Sequence, residues 1–492
     1  MRRISTQAIP LACFTLALTL LTPPLARSAD YFLTIGGGYS PSGNQASLEN
    51  NVLFFQRVLD ETNLDQTHND VFFSDGSADG PDVQVMDPRS IPKANRLMAE
   101  FFGSRSSLGL SYRNHRIPEV RGSTRPENIR KWFDEVGVTM TAGDRLLLFV
   151  TAHGNKSADS NDPYNTTIAT WNNSSIKMRE FVSLLDGLAV GVDVVAVMVQ
   201  CHSGGFAKLI YNAGEPDRGL SPQRRCAFFA TVHDRPAAGC TPEVDEASYV
   251  EYSTYFWAAL SGRSRTGDPI DPPDYNHDGV VSFDEAHAYT ILTADTIDLP
   301  IKTSGEFLSQ YSTFADGDSK LLSNEESYDL VLSLATTTQA AILDGLSEQL
   351  NLTGNDRLVD AWKALEDGRR RGRSRRRAPE SSSAQLRRKI AGDLKRRWPE
   401  LANVLNPVSV ELMTSRAAEF VAAVEKHRDY KRYRELADTP KPDPTKQNVK
   451  YDRFLRVADN VLLAENLRRL GDEERIAQYE ALVAAESGSL ID

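Results

Sequence analysis

Two hydrophobic runs in this chain stop at residues able to do nucleophilic chemistry. Residues 145–154 (RLLLFVTAHG) end in His153 and Gly154, and residues 192–205 (VDVVAVMVQCHSGG) pass through Cys201 into a serine–glycine turn. Apolar runs this short, bounded by glycine and polar residues, predict strands buried on both faces, as in parallel α/β sheets. In open parallel sheets functional groups collect at the carboxyl ends of the strands. His153 and Cys201 both fall there, so the pattern points to a hydrolase in which an imidazole serves a cysteine thiol.

The surrounding sequence repeats the strand–helix alternation. Residues 31–35 lead into Gly36-Gly37-Gly38 as a strand ending in a glycine turn, and residues 47–60 have helical apolar spacing. Residues 71–73 predict a second strand, 127–136 a helix before His153, 176–188 a helix before Cys201, and 226–232 a further strand. The expectation is a doubly wound, mostly parallel α/β sheet flanked by helices, running to about residue 322. From residue 323 strand patterns disappear; 328–350, 408–427 and 451–485 carry helical spacing, predicting a C-terminal helical domain. Within it, residues 368–383 hold seven arginines in nine positions, flanked by glycine, proline and serine. Mutual repulsion predicts an exposed, mobile loop there.

The N-terminus carries Arg2 and Arg3, an apolar stretch from Ala8 to Leu21, and small residues at Ala26 and Ser28. That order predicts a secretory signal over residues 1–28 and export to the periplasm or the outside. The stretch falls short of the roughly 20 residues a membrane span needs, and no later segment reaches that length. Beyond the signal remain Cys201, Cys226 and Cys240, an odd number that leaves at least one thiol unpaired within the chain. Cys226 and Cys240 are compatible with a short disulfide or with two reduced thiols. A formal charge of −11 argues against a general polyanion binder, and the arginine run lacks interleaved aromatics for base stacking, so no nucleic-acid partner is expected.

A free thiol with a pKa near 8.5 is mostly protonated at neutral pH, so a neighbouring imidazole has to take its proton and later protonate the leaving amine. The backbone N–H groups of Gly154 and Cys201 are the natural donors to a tetrahedral oxyanion. His202 is the weaker candidate for the base. His153-Gly154 after one apolar strand and Gln200-Cys201-His202-Ser203-Gly204 after another resemble the caspase-like cysteine peptidases, in particular the legumain type and its bacterial relatives. The Cys-His-Ser-Gly string is similar to that of metacaspases. The resemblance covers roughly residues 31–315, and the 48-residue separation of His153 and Cys201 matches the ~50 of caspase-type enzymes. It implies Cys201 as nucleophile, His153 as general acid/base, a peptide or protein substrate, and substrate-pocket roles for Asn44, Gln200 and Asp234. Metacaspases carry an acid before the nucleophile, whereas this chain has Gln200. A helical region after a caspase-like core also resembles the inhibitory C-terminal domain of legumains, implying latency relieved by cleavage near Arg369–Arg377.

Residues 274–285 (DYNHDGVVSFDE) fit the 12-residue EF-hand loop. Its calcium ligands would be the side chains of Asp274, Asn276 and Asp278, the Val280 carbonyl, Ser282 directly or through water, and bidentate Glu285. Asp271-Pro272-Pro273 cannot form an entering helix, so a half-hand is expected, with calcium structural and no cofactor needed for the chemistry. The rival functional reading is a catalytically silent, calcium-dependent binding protein on the same scaffold.

Overall fold

The protein is described from a computed structural model covering residues 28–64, 68–317, 320–375, 382–439 and 443–491. The expected signal, residues 1–28, lies outside the described residues except for Ser28. Twelve strands follow in chain order: β1 Asp30–Gly37, β2 His68–Phe73, β3 Val83–Met86, β4 Leu110–Arg113, β5 Val120–Gly122 and β6 Arg145–Ala152. They continue as β7 Gly154–Asn155, β8 Thr167–Thr170, β9 Ser174–Lys177, β10 Asp193–Met198, β11 Arg224–Phe229 and β12 Ile301–Lys302.

Seven of these form one sheet in the order β12-β11-β10-β6-β1-β2-β5, parallel throughout except at β12. The fold is therefore α/β with a mostly parallel sheet and additional helices towards the C-terminus. β3 with β4, and β7 with β8 and β9, make small separate sheets.

The strand sequences explain the two-sided burial. In β6, Leu146, Leu148 and Val150 face one apolar cluster while Leu147 and Phe149 face the other. The first cluster is closed by helices Pro126–Glu135, through Ile129, Trp132 and Phe133, and Met178–Asp186, through Phe181, Val182 and Leu185. The second is closed by helices Ala46–Glu61, through Phe54, Phe55 and Val58, and Tyr252–Ser261, through Phe256 and Trp257. Phe55 and Phe149 both pack on the Trp257 ring. Truncating such a buried aromatic costs about 3–5 kcal/mol.

The helices beyond residue 323 build a cluster largely among themselves, with Tyr328, Val331, Leu343, Leu346 and Leu358 packed on Phe454 and Leu462, and they also join the α/β part. Ala464, Leu467, Tyr479 and Leu482 belong to the first sheet cluster, and Phe454, Val457 and Val461 pack with Ala288 and Ile291. Helices of 382–433 instead close a cluster over Ala94, Leu97, Met98 and Phe101 of helix Lys93–Phe102. All three of the long periodic stretches are broken into a pair, Tyr328–Leu334 with Thr337–Leu350, Pro407–Met413 with Ala417–Glu425, and Pro444–Leu470 with Glu473–Glu486.

The arginine-rich segment corrects the sequence expectation of a loop over 368–383. Helix Arg357–Arg375 runs through its first half and helix Ser382–Arg397 begins at its end; residues 376–381 lie outside the described ones. Arginine is a good helix former, and the repulsion is offset locally: Glu366 pairs with Arg369 at 3.1 Å and Asp367 with Arg370. Among the described residues no helix is long and apolar enough to cross a membrane.

Candidate active site

From β1 the chain builds outward in both directions, through β2 and β5 on one side and through β6, β10 and β11 on the other. The topological switch point therefore lies at the carboxyl ends of β1 and β6, where open α/β sheets form their binding crevice. β1 ends there in Gly36 and Gly37, and β6 in Ala152, immediately before His153. A Cβ on Gly38 would stand 1.9 Å from the Gly43 carbonyl oxygen, so only glycine lets the chain double back into the loop that follows.

Register brings the cysteine alongside. β6 and β10 pair in parallel with Arg145 opposite Asp193 and Val150 opposite Met198, an offset of 48 residues, and Val199 N–H continues the ladder to the Val150 carbonyl at 3.0 Å. The same offset separates His153 from Cys201. Alternation from Phe149 and Val197, both in the cluster under helix Ala46–Glu61, puts both residues on that face of the sheet. A Cβ on Gly154 would lie 2.0 Å from the Cys201 carbonyl oxygen and 2.8 Å from Gln200 Cγ. Glycine is thus required at 154 for the close approach of the two strand ends, a steric reason distinct from the substrate access inferred from sequence.

The two side chains have different partners. His153 Nε2 lies 2.9 Å from Gln45 Oε1, so Nε2–H donates and Nδ1 is left as acceptor. The group at Nδ1 is the Cys240 thiol, at 3.7 Å, and the Tyr39 ring stands edge-on to the imidazole with centroids 5.3 Å apart. Cys201 Sγ is held by Ala237, whose N–H donates to it at 3.3 Å and whose carbonyl lies 3.7 Å away. Burial lowers the His153 pKa, opposed in part by the Gly43 backbone. Burial also raises the Cys201 thiol, opposed by the Ala237 N–H and reinforced by the Asp298 carboxylate. Cys240 is pushed up too, by burial first and then by Glu251. Each of these shifts favours the uncharged form of its group. The three cysteines among the described residues are free, so the short Cys226–Cys240 bridge is not formed; Cys226 is buried in β11 against the Ala485 carbonyl.

No family model matches the chain, and no curated protein matches it. Among solved structures it is similar to protein GSU0716 from Geobacter sulfurreducens at 12% identity, over 56% of this chain and 92% of that one, with a TM-score of 0.30. A likeness that distant says nothing about chemistry.

The other residues read from sequence fall in different places. Asn44 is fully buried, with Oδ1 accepting from Gly38 N–H and Nδ2 donating to the Asp82 carbonyl, so it braces the loop and is not free to line a pocket. Gln200 is 1% exposed and neither polar atom of its amide has a hydrogen-bond partner. Asp234 is exposed, on a groove shared with Tyr164, His233 and Arg456. His202 adopts the left-handed conformation, φ 61°, and its Nδ1 bonds the His233 carbonyl at 2.9 Å, which turns it to the 233–235 loop. Gln45 and Cys240 are the partners that sequence reasoning did not assign to His153; they lie 108 and 87 residues from it along the chain, and no local pattern links them.

The loop over Cys201 is anchored from the C-terminal helices. Ala238 N–H donates to the Asp298 carboxylate, and the buried Arg453 of helix Pro444–Leu470 donates to the carbonyls of Asp298, Ile291 and Ala294 and to Thr296 Oγ1. Arg235, whose carbonyl receives the His202 N–H, pairs with Asp452 at 3.0 Å, and Asp452 also receives Arg369.

The 274–285 loop is wound like an ion cradle. Asp274 accepts the N–H groups of Asp278 and Gly279, Asn276 Oδ1 accepts that of Asp278, and Asp278 accepts that of Val280. Gly279 at φ 88° and His277 at φ 60° make the tight turn. Glu285 accepts from Tyr275, Asn276 and Ser282, and with Ser282 forms a capping box for helix Phe283–Thr293. No entering helix precedes the loop, as Asp271-Pro272-Pro273 predicts. The donors are all oxygen, the set that suits calcium, while the carboxylates of Asp274, Asp278 and Glu285 do not gather within 4.8 Å of one another.

Proposed function

We propose that the protein is an exported cysteine endopeptidase of the caspase-like type, in which Cys201 attacks the scissile carbonyl and His153 carries the proton. The observation that supports this reading is the shared 48-residue offset: β6 and β10 are adjacent parallel strands in that register, and His153 and Cys201 follow their carboxyl ends next to the switch point. In the reaction His153 takes the thiol proton, the thiolate adds to the peptide carbonyl, and the imidazolium returns the proton to the leaving amine. Water then hydrolyses the thioester. Gln45 holds the imidazole by Nε2–H and leaves Nδ1 for this exchange. The Cys240 thiol has to leave Nδ1 first.

On the same reading the 274–285 loop takes one calcium ion. Asp274, Asn276, Asp278, Val280, Ser282 and Glu285 would hold it, and it would act on stability rather than on the chemical step. The C-terminal helices, which anchor the 235–238 loop, are the element able to restrain the site.

A second reading, a silent binding protein, is favoured by one observation: the group on His153 is Cys240, and the Cys201 thiol is raised by burial. Incubation with a peptidyl electrophile separates the two. A single adduct mapped to Cys201, lost in Cys201→Ala, supports the peptidase; no adduct in the intact chain, with and without calcium, sinks it.

A further inference from the structure

Three segments far from Cys201 in sequence converge on a second polar cluster. Asp75 follows β2, Asp82 precedes β3 and His115 follows β4, and their ligand atoms all lie within 4.8 Å of one another. Asp82 is 2% exposed. His115 Nε2 lies 2.9 Å from the Gly76 carbonyl, which can only accept, so Nε2 carries a hydrogen and Nδ1 is the ring atom left for a ligand. Nδ1 is sealed from solvent and has no hydrogen-bond partner, and the same holds for Asp75 Oδ1. Leaving two such polar atoms buried together is costly, because each loses its hydration with nothing in return.

Among the described residues no lysine or arginine pairs with Asp75 or Asp82. Arg113, close enough to Asp82 to feel its charge, is taken by Glu49 through two bonds, at 2.8 and 2.5 Å. Burial, with repulsion from Asp75, pushes the Asp82 carboxyl up to about 6. One imidazole nitrogen and two carboxylates form a nitrogen–oxygen donor set. Imidazole suits zinc and its neighbours, whereas calcium takes oxygen alone.

We infer that Asp75, Asp82 and His115 bind a divalent transition-metal ion of the zinc class, separate from the calcium loop. The ion ties together the ends of β2, β3 and β4. Its influence reaches the candidate active site through Asn44, which donates to the Asp82 carbonyl and accepts from Gly38, and whose neighbour Gln45 holds His153. Metal binding here does not rest on the peptidase reading.

The test is zinc binding to the reduced, chelator-treated full-length chain, by competition with a chromophoric chelator, and X-ray absorption of the zinc-loaded protein. The expected result is about one tightly held zinc per chain with a first shell of nitrogen and oxygen only, and affinity at least a hundredfold lower in His115→Gln and in the near-isosteric Asp75→Asn. Circular dichroism of Asp75→Asn confirms that the loss is of ligand and not of fold. No zinc bound by the wild type means a carboxyl pair sharing a proton and overturns the inference. So does sulfur in the shell, which would place the metal at Cys201, Cys240 and His153, and so does unchanged affinity in both variants.

Discussion

Cys240 Sγ stands 3.7 Å from His153 Nδ1, in the place the proposed reaction requires for the thiol of Cys201. Cys240 is itself held in the left-handed conformation, φ 53°, in a loop that follows Ala237, the residue bonded to Cys201. The imidazole therefore faces the Cys240 thiol, while Cys201 is held by Ala237. Cys240→Ala should free Nδ1 and speed alkylation of Cys201 by iodoacetamide several-fold at pH 7, with hydrolysis retained. Loss of hydrolysis in Cys240→Ala but not in Cys201→Ala would reverse the assignment of the nucleophile.

Gln45 fixes the His153 tautomer by accepting from Nε2–H at 2.9 Å. Gln45→Leu removes that restraint and should lower kcat/KM at least tenfold with little change in thermal stability. Gln45→Glu places a carboxylate against the ring, which favours the imidazolium and should move the acidic limb of the pH–rate profile upward. An unmoved limb would mean that His153 is not the titrating group.

Acid should destabilise the fold through His287, whose Nδ1 bonds the Tyr252 hydroxyl at 2.7 Å in a fully buried site. Burial, then Lys302, lowers its pKa to about 3. The unfolded chain binds a proton below its ordinary value of about 6.5 while the folded chain does not, so stability present above 6.5 is lost as pH falls towards 3. The slope from this one group has a ceiling of about 1.4 kcal/mol per pH unit. Melting curves from pH 7 to 5 should show a smaller fall in Tm for His287→Gln than for the wild type.

Arg453 donates to three backbone carbonyls and Thr296 from a buried position, so Arg453→Met leaves those acceptors unsatisfied and should cost at least about 3 kcal/mol. For the same reason a chain ending near residue 322 should be insoluble, since it loses Ala464, Leu467, Tyr479 and Leu482 from the sheet core. Latency is accordingly tested by nicking. Brief trypsin treatment that cuts the arginine-rich segment should raise peptide hydrolysis while the fragments stay associated; an unchanged rate refutes restraint by this region.

In the 274–285 loop, proposed to take calcium, the two ends of the candidate ligand set are separable. Glu285 is both a ligand candidate and half of the capping box, whereas Asp274 accepts only loop N–H groups. Asp274→Ala should abolish the calcium heat in titration calorimetry with a small effect on the metal-free Tm, and Glu285→Ala should abolish it and also cost about 1 kcal/mol from the lost cap. Equal heats in wild type and Asp274→Ala would exclude the site.

The two-sided burial of β6 and β10 was legible because solvent is absent on both faces, and every position from 146 to 150 is apolar as a result. So were most of the strand–helix alternation and the tight 274–285 turn with its exiting but no entering helix, all of which are written in residues adjacent along the chain. The arginine run misled because composition reports repulsion but not the Glu366 and Asp367 partners that offset it within one helical turn. The register of β6 on β10, the burial of Asn44, the Cys240 thiol at His153 and the meeting of Asp75, Asp82 and His115 were decided by tertiary structure alone. Period and propensity act over a few residues, whereas a side chain's partner across the fold is set by how the layers pack, which no local spacing encodes.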